Sequence, residues 1–323
     1  MSLHPETVRR QHALLTTALG PLATLLEEPD VVEVLINPDG TVWVERQGTA
    51  LLPTGEVWSD TRTEALILTV AGVNGQVCTA SQPSLSAVLP GSGARFQGFI
   101  PPATPAPSCI LRRPASRVYA LEEYVERQVM TDWQAEALRQ AIVQKRNVVI
   151  AGQTGCGKTT LLSTLVALMA DERLVTLEDT AEMQCPTHTR LALYATPGRP
   201  MALLLQEALR TRPDRIILGE CRGVEAVDLL DSWGTGHPGG ITTIHAGSPQ
   251  EALTRLEACV RQVSPSHPQP LPLAVARPLI AQTVHLLVCL VRTPTGRRVH
   301  ALARVHGLKG DDYALSLLEK GCV

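Results

Sequence analysis

Gly152-Gln153-Thr154-Gly155-Cys156-Gly157-Lys158-Thr159 fits the spacing G-x-x-x-x-G-K-[ST]. Glycines at these positions let the backbone curl until several N–H groups point at one phosphate. The apolar run Val148-Val149-Ile150-Ala151 precedes the loop, and Thr160 to Val166 reads as the helix that follows it. That helix start adds its partial positive charge. Lys158 is placed to meet the β- and γ-phosphates, and the Thr159 hydroxyl to ligand Mg²⁺. The expected nucleotide contacts are Gly152, Gln153, Thr154, Gly155, Cys156, Gly157, Lys158, Thr159 and Thr160. Cys156 is read as a small filler rather than a redox-sensitive thiol, because no neighbour in sequence would depress its pKa.

A phosphate cradle does not hydrolyse anything by itself, because water and metal must also be held. The apolar strand Arg215-Ile216-Ile217-Leu218 runs into Gly219-Glu220. A carboxylate just past a buried strand sits at the sheet edge where ligands bind in open α/β sheets. Glu220 is therefore the candidate to orient or activate water, with a plain surface carboxylate as the bland alternative. The acid that commonly helps hold magnesium would fall at Gly219, which has no side chain. Leu174-Val175-Thr176-Leu177 ends in Glu178-Asp179, with Glu182 three residues on, and is the obvious substitute. One of these acids is expected at the metal's water shell and the other in shaping the backbone. Helix capping by Asp179 is the structural alternative. Gly234-Thr235-Gly236-His237-Pro238-Gly239-Gly240 leads into Ile241-Thr242-Thr243-Ile244-His245. A histidine at that strand end can contact the γ-phosphate and report its loss, or it can be an ordinary structural hydrogen-bonder.

Positioning these groups requires an α/β layer. The runs Val148–Ala151, Leu174–Leu177, Arg215–Leu218, Ile241–Ile244 and Val284–Val291 alternate with helical segments, which predicts a mainly parallel sheet. The apolar stretch Leu279 to Val291, interrupted by Gln282 and His285, reads as a buried strand rather than a membrane span. Thr131-Asp132-Trp133-Gln134 forms a capping box, followed by a helix with Trp133, Ala137, Leu138, Ala141 and Ile142 on one face. The first third reads as a smaller α+β domain. Leucines at helical spacing over Val8 to Glu28 are broken by Gly20-Pro21. A hairpin joins Asp30–Ile36 to Thr41–Glu45 through Asn37-Pro38-Asp39-Gly40, a helix covers Thr61 to Val73, and Pro101 to Pro107 is a loop. The expected division is 1–115 for the amino-terminal domain, 116–130 for a linker and 131–323 for the ATPase domain.

Composition excludes several classes. The 323 residues carry 29 − 31 = −2 formal charges, so no basic excess exists to neutralise a nucleic-acid backbone. Two Phe, four Tyr and four Trp leave few rings for stacking single strands. Direct nucleic-acid binding is thus disfavoured. The eight cysteines contain no C-x-x-C pair, which argues against a structural zinc site. No signal peptide is visible, and the reduced cytosol is the expected compartment. The leucines between Leu14 and Leu26 read as core rather than a lipid-lying face.

GQTGCGKTT, TLEDTAE, RPDRIILGECRG and GTGHPGGITTIHAG, in that order, resemble the Walker A, Asp box, atypical Walker B and His box of the secretion-ATPase superfamily. That superfamily powers type II and type IV secretion and pilus systems. DVVEVLINPDGTVWVE, Gly93-Ala94-Arg95-Phe96 and Ile110-Leu111-Arg112-Arg113-Pro114 resemble its conjugal-transfer branch. The paired-cysteine module common in the type II enzymes is missing. The resemblance implies a RecA-like ATPase domain behind an α+β amino-terminal domain, ATP and Mg²⁺ as ligands, and nucleotide held between the domains. It implies a homohexamer on the cytoplasmic face of the bacterial inner membrane. Partners would be the inner-membrane and cytoplasmic components of a type IV secretion or conjugation machine. It also implies arginines that complete the site. Arg112 matches the family's I-R-K-P arginine, Arg113 stands where lysine is common, and Arg95 is a second candidate. An ordinary surface ion pair is the alternative for each. Arg210 and Arg222, flanking the Glu220 strand, are further candidates. Together Lys158, Glu178, Glu220, His245, Arg95 and Arg112 are the expected catalytic set, with Thr159, Glu178 and Asp179 at the metal. The competing functions are a nucleic-acid translocase or helicase and a nucleotide-gated scaffold that does not hydrolyse.

Overall fold

The computed structural model describes residues 5–114, 117–196, 198–293 and 296–319. Its chain divides into two units, Met1–Ser116 and Arg117–Val323.

In the first unit, α1 (Pro5–Leu19) and α2 (Pro21–Glu27) are separated at Gly20. Its φ of 53° lets the chain turn before Pro21 opens the second helix. Leu15, Leu19, Leu22 and Leu26 are buried in the unit's own core, as their spacing predicts, while Leu14 is exposed. β1 (Val31–Ile36) and β2 (Thr41–Arg46) form the predicted hairpin. Its turn is held by Asp39 Oδ1, which accepts from the Thr41 N–H at 2.9 Å. β3 (Leu52–Val57), α3 (Asp60–Val73), β4 (Ser84–Val88), β5 (Arg95–Phe99) and β6 (Ser108–Arg112) follow. The strands pair in the order β3-β2-β1-β6-β5-β4, each with an antiparallel neighbour. Val34, Val42, Phe96 and Leu111 alternate with half-buried residues and pack with Leu66, Ile67 and Val70 of α3. This is the inward-outward alternation of a sheet with one apolar face.

In the second unit the segment expected to be a linker is not bare chain. α4 (Leu121–Glu126) folds within it and buries Leu121 and Tyr124 against the core. Those two apolar residues, one turn apart, are what recruit the segment. α5 (Asp132–Val143) follows, and Gln134 Oε1 accepts from the Thr131 N–H at 2.9 Å, as the capping box requires. Then come β7 (Val148–Gly152), α6 (Lys158–Ala167), β8 (Leu174–Glu178), β9 (Arg190–Tyr194), α7 (Met201–Ala208) and β10 (Arg215–Leu218). The unit continues with α8 (Glu225–Gly234), β11 (Ile241–Ile244), α9 (Pro249–Val260), α10 (Leu273–Thr283), β12 (Leu286–Thr293), β13 (Gly296–Lys309) and β14 (Asp312–Leu317).

The strand order is β14-β13-β12-β7-β11-β10-β8-β9. The six strands from β12 to β9 are parallel, and β13 and β14 add antiparallel pairs at one edge. Successive residues of β7 serve opposite cores. Val149 and Ala151 pack with residues of α7, α8, α9 and α10, and Val148 and Ile150 with residues of α4, α5 and α6. Coverage of both faces explains why the inner strands are apolar runs rather than alternating ones. Leu279–Thr283 is the end of α10, not strand; the Thr283 hydroxyl donates to the Leu279 carbonyl at 2.6 Å, and Val284 then turns to extended backbone.

Candidate active site

β7 delivers the chain to the sheet's carboxyl edge at Gly152. A side chain there would lie 2.7 Å from the Leu290 carbonyl oxygen, so glycine is required by the neighbouring strand. Gly155 and Gly157 have φ of 74° and 98°, the left-handed conformation that curls the loop. The Gly157 carbonyl accepts the first helical bond of α6 from Leu161 N–H at 3.0 Å. Cys156 is buried, and burial raises its thiol pKa against the pull of Lys158 and Arg297. It is a closed filler, not an exposed thiolate.

Lys158 is buried at the opening of α6. Its ammonium donates to the carbonyls of Gly152 at 2.9 Å and Gln153 at 3.0 Å, and lies 3.4 Å from His245 Nδ1. His245 Nε2 is 2.6 Å from Glu220 Oε1. Lys158 has no acceptor atom, so Nδ1 accepts and the ring's proton is on Nε2, facing Glu220 Oε1, a buried oxygen with no hydrogen-bond partner among the described residues. Desolvation, then Lys158, lower the His245 pKa below the ordinary value, in keeping with that neutral ring. Arg222 Nε donates to Glu220 Oε2 at 2.8 Å, and Arg222 Nη1 to Asp179 Oδ2 at 2.7 Å. Lys158, His245, Glu220, Arg222 and Asp179 thus form one connected chain. The strand order β7-β11-β10-β8 and parallel direction bring them together.

Glu178 ends β8 and is buried. Its Oε1 accepts from the N–H groups of Met183 at 2.7 Å and Glu182 at 3.1 Å, which folds the following loop back. Its Oε2 is buried with no hydrogen-bond partner among the described residues. Desolvation raises the Glu178 pKa, and the two N–H bonds oppose it. The Glu178 Cγ lies 3.2 Å from where a Gly219 side chain would begin. The missing acid of β10 and the present acid of β8 therefore occupy one space. An unpartnered carboxylate oxygen beside the strand ends fits an ordered water or metal shell, since magnesium keeps several waters and takes few protein ligands. The Asp box thus divides the labour, with Glu178 shaping the backbone and Asp179 pairing with Arg222. Among the described residues no helix begins directly after Asp179, so it caps none.

Arg95 and Arg112 belong to the other unit. They are direct partners across β5 and β6, and Arg112 is also opposite Glu33 of β1. Arg210 lies in the turn Leu209–Thr211 that precedes the amino end of β10, so it is at the edge away from Glu220. Two supports were not foreseen from sequence. Asn147 Oδ1 accepts from Gly239 N–H at 2.6 Å, and its amide donates to Thr283 O at 2.7 Å. The buried Arg215 guanidinium donates to Ile142 O at 3.0 Å and Gly239 O at 3.3 Å. The glycines before His245 therefore serve packing; a side chain at Gly240 would enter Trp233. The available signals were a polar residue just before β7 and an arginine opening an otherwise apolar run.

The profile of the Type II/IV secretion system protein family matches residues 85–322. The chain belongs to this family. Within it, the chain is 39% identical over 315 residues to the conjugal transfer protein TrbB of Rhizobium radiobacter, spanning 96% of this chain and 94% of that protein. It is 34% identical over 309 residues to the type IV secretion system protein PtlH of Bordetella pertussis, spanning 85% and 89%. The X-ray structure of the Legionella pneumophila ATPase DotB aligns with a TM-score of 0.62 at 22% identity, over 87% of this chain and 79% of that one, and so shares the fold. The resemblance to secretion ATPases, and to their conjugal-transfer branch, agrees with these relatives. Among the described residues no helix is long and apolar enough to cross a membrane.

Proposed function

We propose that the chain is a magnesium-dependent ATPase, acting as a homohexameric motor for a type IV secretion or conjugative transfer machine. The observation that carries this reading is the chain Lys158–His245–Glu220 at the end of the parallel sheet. The two halves of an ATPase site, a phosphate grip and a water-orienting carboxylate, are linked there by one imidazole.

The loop N–H groups bind the phosphate tail and the start of α6 adds its dipole. Lys158, held by two loop carbonyls, exchanges them for the β- and γ-phosphates. His245 then loses its lysine neighbour and follows the γ-phosphate, so that cleavage is felt at Glu220. Glu220 orients the attacking water and accepts its proton. Thr159 and, through water, Glu178 would hold Mg²⁺, which when bound neutralises phosphate charge. Arg112 and Arg95 are the arginines assigned to complete the site, because their fork is permanently charged and suits phosphate oxygens. The partners are inner-membrane and cytoplasmic components of the transfer apparatus, and the location is the inner face of the bacterial inner membrane. These rest on kinship with conjugal and type IV secretion proteins.

Purified full-length protein should release phosphate from ATP only with magnesium, and sediment as a six-subunit species when both are present. Absence of phosphate release under those conditions, with ATP bound, would turn the reading toward a nucleotide-gated scaffold. Stimulation by single-stranded DNA with steep salt dependence would turn it toward a translocase.

A further inference from the structure

The strand beside the phosphate loop does not stop where the loop begins. β12 runs parallel to β7 from Leu286 opposite Val148 to Leu290 opposite Gly152. There β7 ends, but β12 continues to Thr293. The extra residues carry Arg292 past the sheet edge on the side of the loop. The chain returns as β13 with Arg297 directly across from Arg292. Both arginines, though exposed, lie beside the loop. Arg297 Cδ lies 3.3 Å, and Nε and Nη1 3.8 Å, from the point where a Gly157 side chain would begin. Arg292 Nη1 lies 4.0 Å from the equivalent point at Gly155. The stem of Arg297 thus lies against the loop at Gly157, one of its two left-handed glycines. The base of the hairpin is anchored, since Val299 N–H donates to Val129 O at 2.7 Å.

The hairpin's own stretch of sequence is one-sided in charge. Between Glu257 and Asp311 the sequence holds no acidic residue, while Arg292, Arg297, Arg298 and Arg304 all fall within that stretch. A guanidinium stays charged at every accessible pH and acts on an anion some ångströms away even without touching it. A braced loop also loses less freedom when phosphate orders it.

We propose that Arg292 and Arg297 are positioning residues of the nucleotide site: they brace the phosphate loop from outside and set its preference for di- and triphosphates over monophosphates. This rests on the loop being the nucleotide site, as proposed above. It assigns a role to a hairpin of the ATPase unit itself, separate from Arg95 and Arg112.

The test separates packing from charge. Methionine keeps an unbranched stem without the guanidinium, and lysine keeps a charge. In the full-length protein, Arg292→Met/Arg297→Met should weaken binding of MgADP and of a non-hydrolysable ATP analogue about tenfold. AMP affinity should stay within about twofold, and Arg297→Lys should retain most of the wild-type affinity. Nucleotide-free melting temperatures should match the parent. A double methionine variant that binds all three nucleotides as the parent does overturns the proposal, as does an equal loss for AMP. If Arg297→Met does not fold, Arg292→Met, whose guanidinium lies farther from the loop, is read by the same two outcomes. A parent protein that binds no nucleotide would instead overturn the underlying reading of the site, so the two failures are distinct.

Discussion

In the amino-terminal unit every paired neighbour in the sheet is antiparallel, whereas β7, β11, β10 and β8 of the second unit all run the same way. The consequence for charge is direct. Antiparallel strands place Glu45, Glu33, Arg112 and Arg95 side by side across β2, β1, β6 and β5, in one row of two acids and two arginines. Burial raises the Glu33 pKa, Arg112 opposes it and Glu45 adds to it, so the row is coupled. Parallel strands instead bring every carboxyl end to one edge. The loop after Gly152, His245, Glu220 and Glu178 gather there from separate parts of the sequence. The first arrangement spreads charge over a face, and the second concentrates it where a ligand's phosphate tail can be met.

Lys158→Ala breaks the second arrangement at its grip and should have the largest effect. Loss of at least about 100-fold in phosphate release is expected, with nucleotide affinity falling too. Arg112→Ala and Arg95→Ala probe the first. If that row completes the site, each should lower kcat about tenfold, a value well below a full arginine finger, with little change in melting temperature. Parent-like turnover in both would make the row purely structural. Gly219→Ala sharpens the idea that Glu178 fills the space left on β10. Its new methyl would meet Glu178 Cγ at 3.2 Å and Leu177 O at 3.4 Å. It should cost about 1–2 kcal/mol in denaturant unfolding and lower turnover several-fold through displaced Glu178.

The smallest effect is a pH dependence of stability. His285 Nδ1 accepts from Asn147 N–H at 2.9 Å, and burial lowers its pKa below the ordinary 6.5. The unfolded chain therefore binds the proton more readily than the folded one. Stability from this group is complete above about pH 6.5 and is lost as pH falls through the lowered folded value. Melting temperature should decline between about pH 7 and 5, and less steeply in His285→Asn.

Much of this was legible in sequence where strand ends carry their own punctuation. Glycine and lysine after β7, Gly219-Glu220 after β10 and His245 after β11 each stop an apolar run with a polar residue. Hidden features depend on register or on distant partners. The Glu33–Arg112–Arg95 row needs the pairing of three strands. Asn147 and Arg215 act through carbonyls and amides far along the chain. β13 and β14 escaped because they continue the sheet by antiparallel pairing after the parallel pattern has ended. Glu178 and Asp179 were visible as a pair of acids, but their separate tasks follow from which one is buried.

The role proposed for Glu220, beside His245 at the loop, is to make phosphate binding productive. The most direct test measures nucleotide affinity and single-turnover hydrolysis side by side for the parent and Glu220→Gln. The expected result is a loss of about 100-fold or more in hydrolysis with affinity for the ATP–magnesium complex retained. Hydrolysis at the parent rate by Glu220→Gln would remove Glu220 from that role.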